Sequence, residues 1–233
     1  MKVTYIKHSG YLVETEKSYF LFDYWQGDLP RLNYDKTLYV FSSHAHHDHF
    51  TRDIYRLEHA CSHTVYILSD DIRRADRLWR QVDNVIFMKE WQEKEIEGLK
   101  VRTLRSNDEG IAFLIKTEGK VIYHAGDLHW WDWPGEPDAD NRYMKETYCK
   151  EIESLEEEEI DLAFVVLDPR QEESGSLGMT WFLQHVHARY VFPMHFWEDY
   201  AFVNDYITGN SGRFPASRLM RPEKPGQAFE LAD

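Results

Sequence analysis

The sequence contains few cysteines, and their spacing indicates no paired function. Cys61 and Cys149 are the only two among 233 residues, and neither lies near a second thiol in the sequence. This spacing excludes a CxxC metal knuckle and gives no indication of a disulfide framework. We therefore expect both thiols to be reduced and to have structural roles.

Long apolar runs and an export signal are also lacking. No stretch approaches the roughly 20 apolar residues that a membrane-spanning helix needs. Lys7 and His8 interrupt the segment in which a signal peptide would have its apolar centre. The hydrophobic fraction of 42% and the aromatic fraction of 15% are typical of a folded globular protein. We therefore expect a soluble, cytoplasmic protein with no membrane partner.

Basic residues are scarce relative to acidic ones. Lys and Arg total 27 against 41 Asp and Glu, which gives a formal net charge of -14. Such a surface repels phosphate backbones, so a nucleic-acid substrate would require a local basic patch. The best candidate patch consists of Arg73, Arg74, Arg77 and Arg80. Aspartates interleave with it, which is typical of a solvated helix face. A small-molecule substrate is therefore favoured over a nucleic acid, and the oligomeric state is not predicted.

Strand and helix patterns are mixed along the chain. The predicted strands are 3–6, 11–14, 19–22, 38–41, 65–68, 85–88, 99–104, 111–116, 121–124, 162–167 and 190–192. The predicted helices are 52–59, 70–80 with Ser69 as N-cap, 141–155, 180–187 and 200–207. Glu118-Gly119 is predicted to join the strands 111–116 and 121–124 as a hairpin. Because no internal repeat, low-complexity tract or linker is evident, we predict one mixed α/β domain over residues 1–233.

A cluster of histidines and one aspartate follows a predicted buried strand. It reads HAHHDH over residues 44–49. An extended segment places His44 and His46 on one side, and a turn after them lets Asp48 and His49 face the same cavity. Neutral imidazoles with a carboxylate suit zinc, and also iron or manganese at a mixed site. The sequence therefore predicts a metal site at this position.

The pattern HxHxDH after a buried strand resembles the first metal-binding motif of the metallo-beta-lactamase fold superfamily. Further segments resemble other motifs of that superfamily in chain order: Leu21-Phe22-Asp23, Ala125-Gly126-Asp127 and Phe192-Pro193-Met194-His195. The early segment Ile6-Lys7-His8-Ser9-Gly10 is similar to a branch of small cytoplasmic hydrolases. That branch includes ascorbate-lactonase-like proteins and relatives of transfer-RNA-processing nucleases. The resemblance spans residues 3–197.

This resemblance implies a fold and a set of metal ligands. The implied fold is a four-layer αββα sandwich with two sheets face to face and helices outside. The implied ligands are His44, His46, Asp48, His49, Asp127 and His195. The first two would hold one ion, Asp127 would bridge both ions, and the remaining three would hold the second.

Hydrolysis is the chemistry that such a site implies. Two cations about 3.5 to 4 Å apart lower the pKa of a shared water and deliver hydroxide at neutral pH. Asp48 would orient that hydroxide or accept its proton. The expected substrates are esters, lactones, amides or phosphodiesters of small molecules. Two alternatives stay open: an iron-dependent oxidoreductase of the same fold, and a non-catalytic metal-binding protein with one impaired site.

One segment departs from the pattern of the superfamily. Its members have another histidine between the first cluster and the bridging aspartate, but this sequence has none between His63 and His124. The expected place is occupied by residues 105–110, which read RSNDEG. Either Asp108 substitutes as an oxygen ligand, or Asn107 and Asp108 form a turn before the next strand.

The roles of several residues near these motifs stay open. His8 and His129 are lone histidines that either belong to the site or pack elsewhere. The aromatic segment around Trp130, together with Trp197, favours a pocket wall for a small or apolar-bodied substrate. Arg170 follows a predicted buried strand, where it would bind an anionic substrate group or pair with a neighbouring acid.

Overall fold

The computed structural model describes residues 1–232. The chain forms two compact units, one made of Met1–Lys89 with Glu223–Asp233 and the other of Glu90–Pro222. Each unit contains one seven-stranded sheet. Strands and helices are mixed in both, as predicted. The prediction of a single domain over residues 1–233 stays a prediction.

The strands and α-helices follow the predicted order closely. The strands are β1 (Lys2–Lys7), β2 (Gly10–Glu14), β3 (Ser18–Phe22), β4 (Thr37–Ser42), β5 (His63–Ser69), β6 (Val85–Met88), β7 (Glu93–Ile96), β8 (Leu99–Arg105), β9 (Ile111–Thr117), β10 (Lys120–His124), β11 (Glu159–Val166), β12 (His187–Met194), β13 (Arg218–Leu219) and β14 (Ala228–Glu230). The α-helices are α1 (Ile72–Ala75), α2 (Asp138–Glu153), α3 (Leu177–His185) and α4 (Tyr200–Gly209). Short 3-10 helices span Arg52–His59, Leu78–Gln81 and Pro169–Ser176.

In the first unit, the strand order is β14-β1-β2-β3-β4-β5-β6. Strands β14, β1, β2 and β3 are antiparallel neighbours, whereas β3 to β6 run parallel. Strand β4 lies inside the sheet, and five consecutive residues from Leu38 to Ser42 are buried. A strand in a parallel sheet that is covered on both faces is expected to be apolar at successive positions. The predicted two-sided burial of this strand is therefore confirmed, and the histidine cluster begins two residues after it ends.

The predicted helix over residues 70–80 is wrong. Helix α1 ends at Ala75, and Asp76 is extended, with a φ of -128° and a ψ of 162°. The cause is the buried carboxylate of Asp76, which accepts a hydrogen bond from the Leu78 backbone N–H at 3.0 Å and pairs with Arg52 at 2.8 Å. An aspartate that bonds to nearby backbone competes with the helix. The predicted N-cap, Ser69, is the last residue of β5.

In the second unit, the strand order is β13-β12-β11-β10-β9-β8-β7. Strands β7 to β10 are antiparallel neighbours, and β10 to β13 run parallel. The predicted hairpin turn at Glu118-Gly119 is confirmed, with φ values of 47° and 71° at the two residues. Strand β7 was not predicted from the sequence. No helix among residues 1–232 has both the length and the hydropathy that a membrane crossing requires.

Candidate metal centre

The HxHxDH segment folds into a tight turn at the carboxyl end of β4. The backbone N–H groups of His49 and Phe50 both donate to the carbonyl of His46, at 3.1 and 2.9 Å. The turn brings the rings of His44 and His49 to a centroid separation of 4.2 Å, and those of His44 and His46 to 4.6 Å. The structure thus brings together the four residues predicted from this motif.

Asp23 orients two of these histidines from the end of the neighbouring strand β3. Its carboxylate accepts hydrogen bonds from the Ser43 backbone N–H and hydroxyl, both at 2.7 Å, and lies 2.8 Å from Nδ1 of His49. The Ser43 hydroxyl also lies 3.0 Å from Nδ1 of His44. With both Nδ1 atoms occupied, Nε2 is the atom that each ring offers to a metal. The sequence identified Asp23 only as a motif residue and missed Ser43.

His8 joins the cluster, which settles one question that the sequence left open. Its Nε2 lies 3.5 Å from a carboxylate oxygen of Asp48, and its ring lies edge-on to His49 at 5.4 Å. One potential ligand atom from each of His8, Asp48 and His49 lies within 4.8 Å of the others. The backbone of His8 has a φ of 56°, and its N–H donates to the Tyr5 hydroxyl at 3.0 Å.

Burial and neighbouring groups shift the pKa values of His44 and Asp48. Burial, with a smaller contribution from His49, keeps the pKa of His44 well below its usual value, so the ring is neutral. Burial alone would raise the pKa of Asp48, but the hydrogen bond to His8 and the charges of His49 and His8 outweigh it and lower that pKa. Asp48 is therefore a carboxylate at neutral pH. His47, which is not a proposed ligand, has a side chain that is 89% exposed.

In the second unit, His195 follows β12 and contacts two carboxylates. Its Nδ1 lies 3.0 Å from Asp168, which follows the neighbouring strand β11. Its Nε2 lies 3.4 Å from Asp127, which follows β10. A carboxylate hydrogen-bonded to Nδ1 fixes the ring orientation and leaves Nε2 to bind a metal ion. The structure therefore brings together the two ligands predicted in this unit, and it adds Asp168 as the residue that orients His195.

Arg170 forms an ion pair with Asp168. Its Nε lies 3.0 Å from both carboxylate oxygens, and its Nη2 also bonds to one of them. Burial would raise the pKa of Asp168, but hydrogen bonds from His195 and Arg170 outweigh that effect and lower the pKa. Of the two roles weighed for Arg170, the ion pair is the one that the structure shows.

His129 is fully buried beside this group rather than exposed. Its ring packs edge-on against Trp131 at 4.9 Å. Burial lowers the pKa of His129 to about 3, so the imidazole is neutral. His124 is also buried, and its Nδ1 accepts the Gly126 backbone N–H at 3.2 Å. His124 is therefore a packed residue behind the Gly-Asp motif.

The segment without the expected histidine forms a turn between β8 and β9. The Asn107 amide donates to the carbonyls of His129 and Met144, at 2.8 and 3.0 Å, and its oxygen accepts the His129 backbone N–H at 3.3 Å. Asn107 thus anchors the loop after β10 to helix α2. Asp108 is exposed, and it belongs to no group of three or more potential ligands among residues 1–232. The geometry favours the turn over a replacement ligand.

Aromatic rings surround His195. Trp131 and Trp197 both pack edge-on against its imidazole with centroid separations of 5.7 Å, and Trp133 stacks on Trp131 at 5.7 Å. Trp130 packs instead against Trp181 at 5.9 Å. The rings expected beside the site are therefore present, but Trp131 occupies the place predicted for Trp130.

The donor set fits a divalent metal. It consists of imidazole nitrogens, three of which belong to rings whose Nδ1 lies within hydrogen-bond distance of a hydroxyl or carboxylate (His44, His49 and His195), together with the ionised carboxylate of Asp48. Imidazole and carboxylate ligands suit zinc, iron and manganese. Neither cysteine belongs to the potential ligand groups among residues 1–232.

A family model described as a beta-lactamase superfamily domain matches residues 2–132. This match covers more than half of the sequence, so the chain belongs to that superfamily, as predicted. No curated protein sequence matches the chain significantly.

Solved structures share the fold over nearly the whole chain. A metallo hydrolase from the archaeon Ignicoccus hospitalis is 18% identical, with a TM-score of 0.66 over 99% of both chains. An isothiocyanate hydrolase from Delia radicum gut bacteria is 14% identical, with a TM-score of 0.61 over 99% of both. A diiron beta-hydroxylase from Streptomyces venezuelae is 11% identical, with a TM-score of 0.62 over 99% of this chain and 54% of that one. The predicted fold class, the α/β sandwich of the metallo-beta-lactamase type, is confirmed.

Proposed function

We propose that this protein is a metal-dependent hydrolase that cleaves an ester, lactone, amide or phosphodiester bond in a small molecule. The observation that carries the proposal is the orientation of the histidines. Asp23 and Ser43 hold Nδ1 of His49 and His44, and Asp168 holds Nδ1 of His195. Carboxylates in this position are typical of metal-binding histidines. The similarity to named metal-dependent hydrolases supports the same class.

The proposed ligands are the six residues that the motifs of the superfamily imply. They are His44, His46, Asp48, His49, Asp127 and His195. His8 is added because of its contact with Asp48. Zinc is the preferred metal, with iron or manganese as alternatives, and the number of ions is one or two. Because Asn107 anchors a loop and Asp108 is exposed, the ion held by His44 and His46 would have fewer protein ligands than the other.

The residues of this chain have separate tasks in the proposed reaction. A bound divalent cation supplies Lewis acidity and an activated water for hydrolysis. Asp48, kept ionised by His8 and His49, would orient that water or accept its proton. His195 is held in one orientation by Asp168 on Nδ1 and by flanking indole rings. This arrangement fixes the direction in which Nε2 of His195 would offer its lone pair to a metal ion.

The proposed substrate is a small molecule in the cytoplasm. A formal net charge of -14 disfavours polynucleotides. Both cysteines are free thiols, which fits a reducing compartment.

Elemental analysis and metal titration test this proposal. Protein purified without added metal should contain zinc, manganese or iron, and chelation should abolish hydrolysis of a panel of lactones and phosphodiesters. His49→Ala should lower metal affinity at least tenfold, because it removes one of the proposed metal ligands. Asp108→Ala is the matched control and should leave stoichiometry and affinity unchanged. Turnover that survives complete chelation would contradict the proposal.

The same analysis tests the oxidoreductase alternative. Two equivalents of bound iron, with oxygen consumption and no turnover of any hydrolytic substrate, would support the oxidoreductase alternative over hydrolysis. Metal binding with neither activity would indicate the non-catalytic alternative.

A further inference from the structure

One exposed surface of the second unit combines aromatic rings with a single arginine beside His195. We name it the Trp197 surface, and it consists of Trp133, Arg170 and Trp197. The Arg170 guanidinium lies 4.5 Å from the centre of the Trp197 ring and 5.5 Å from that of Trp133. The Arg170 side chain is 44% exposed and Trp197 is 43% exposed. A cation and a large apolar ring are thus presented together to solvent.

The backbone holds Trp197 in this exposed position. His195, Trp197 and Glu198 have φ values of 63°, 52° and 60°, in the left-handed region that non-glycine residues rarely adopt. Such strained positions cluster at ligand-binding and catalytic sites. The ring that results lies edge-on to His195. The strained segment therefore places an exposed indole directly beside a proposed metal ligand.

Arg170 is held rigidly but retains a donor for a ligand. Its Nε and Nη2 bond to Asp168, whereas its Nη1 makes no hydrogen bond or ion pair with any residue from 1 to 232. A guanidinium keeps its charge at all physiological pH values and presents a planar donor edge that matches a carboxylate. Because the side chain is fixed beforehand, little conformational entropy is lost when Nη1 binds a ligand.

We infer that the Trp197 surface recognises a carboxylate-bearing substrate with an aromatic or apolar body. Arg170 binds the carboxylate through Nη1, and the indole of Trp197 stacks on the body of the substrate. This inference rests on the proposed function, because it takes His195 to lie at the reaction site. It gives an otherwise acidic protein a local cation with which to hold an anion.

Two probes that differ only in charge test the inference. 1-Naphthaleneacetate and 1-naphthaleneacetamide share one ring system, and their binding can be measured by calorimetry or ligand-observed NMR. Wild-type protein should prefer the acid. Arg170→Met should weaken binding of the acid by roughly fivefold or more and that of the amide by less than twofold. Trp197→Ala should weaken both by roughly threefold to tenfold.

A matched arginine and tryptophan elsewhere in this unit provide the controls. The Arg105 guanidinium lies 5.7 Å from the centre of the Trp91 ring, and Trp91 is 62% exposed. Arg105→Met and Trp91→Ala should leave the affinity for both probes unchanged. Trp197→Ala also keeps the ion pair between Arg170 and Asp168, so the hydrogen bond that His195 makes to Asp168 is retained in this variant. Thermal unfolding curves identify any variant that is misfolded.

Three results would overturn the inference. The first is that the acid does not bind at millimolar concentration. The second is that wild-type protein binds the acid and the amide with equal affinity. The third is that Arg170→Met loses affinity for both probes equally. The assay involves no turnover, so its result is separate from the hydrolase proposal. Charge-selective binding without hydrolysis would contradict only the proposed function, whereas hydrolysis without charge selectivity would contradict only this inference.

Discussion

Two buried carboxylates, Asp23 and Asp168, each accept a hydrogen bond from Nδ1 of a proposed metal-binding histidine. Neither is itself a proposed ligand. Asp23 acts on His49 directly and on His44 through the Ser43 hydroxyl. One side chain therefore controls the orientation of two rings. Its removal should weaken metal binding, although Asp23 is not itself a proposed ligand.

Asp23→Asn should lower metal affinity by roughly tenfold to a hundredfold, because the amide cannot accept all the hydrogen bonds that the carboxylate accepts. Competition with a chromophoric chelator measures this affinity. Asp76→Asn is the matched control, since Asp76 is equally buried in the same unit and pairs with Arg52. The control should lose stability and keep its metal affinity. Equal affinities of the two variants would contradict the prediction.

The motif indicates the proposed ligands but not the residues that orient them. His44, His46, Asp48 and His49 lie close together in the sequence, so their spacing alone indicates a common site. Asp168 lies 27 residues from His195, and no spacing rule links the two. The available signal was topological: both residues follow parallel neighbouring strands, and the ends of such strands meet at one edge of a sheet.

At the scale of elements, one dipeptide forms the same turn twice in the second unit. Glu97-Gly98 joins β7 to β8 and Glu118-Gly119 joins β9 to β10, and all four residues have positive φ values. Only the second was recognised from the sequence. Its flanking strands are strongly apolar, whereas three of the four residues of β7 are charged, and Glu93 and Glu95 are exposed. Edge strands bury little, so their hydrophobic pattern is weak.

The packing of helix α3 against the loop after β10 leads to a prediction. A Cβ on Gly178 would overlap the His129 ring and approach the Trp130 backbone nitrogen to 3.1 Å. Gly178→Ala should therefore destabilise the fold by about 1–3 kcal/mol. Gly209, at the end of α4, has nothing within 4 Å of its Cβ position, so Gly209→Ala should be neutral or stabilising by up to about 1 kcal/mol.

Denaturant unfolding of both alanine variants measures these free energies of unfolding. A Gly178→Ala protein as stable as wild type would show that the His129 ring can move without cost.

At the scale of the whole molecule, both units use one strand plan without any evident repeat in sequence. In each, two antiparallel steps are followed by three parallel ones, from β1 to β6 and from β8 to β13. The proposed metal ligands Asp127 and His195 follow β10 and β12 of this plan. The two units thus share a strand topology without sharing a sequence pattern. Composition and periodicity therefore did not reveal the common strand plan.

The charge of the whole chain leads to another prediction. With a formal net charge of -14, the protein should neither retain nor cleave single-stranded RNA or DNA at about 0.15 M salt, where phosphate repulsion is only partly screened. Gel retardation and a fluorescent-oligonucleotide cleavage assay check this with and without added zinc or manganese. Metal-dependent cleavage of either oligonucleotide would shift the proposed substrate class to polynucleotides.

The pairing of β14 with β1 has a consequence for synthesis on the ribosome. Lys2 of β1 pairs with Glu230 of β14, so the outer edge of β1 has no partner strand until residues 228–230 have been translated. Residues 90–222 are contiguous and can complete their own sheet first. An open strand edge invites pairing with other chains, so we expect the edge of β1 to be prone to such pairing until β14 has been made.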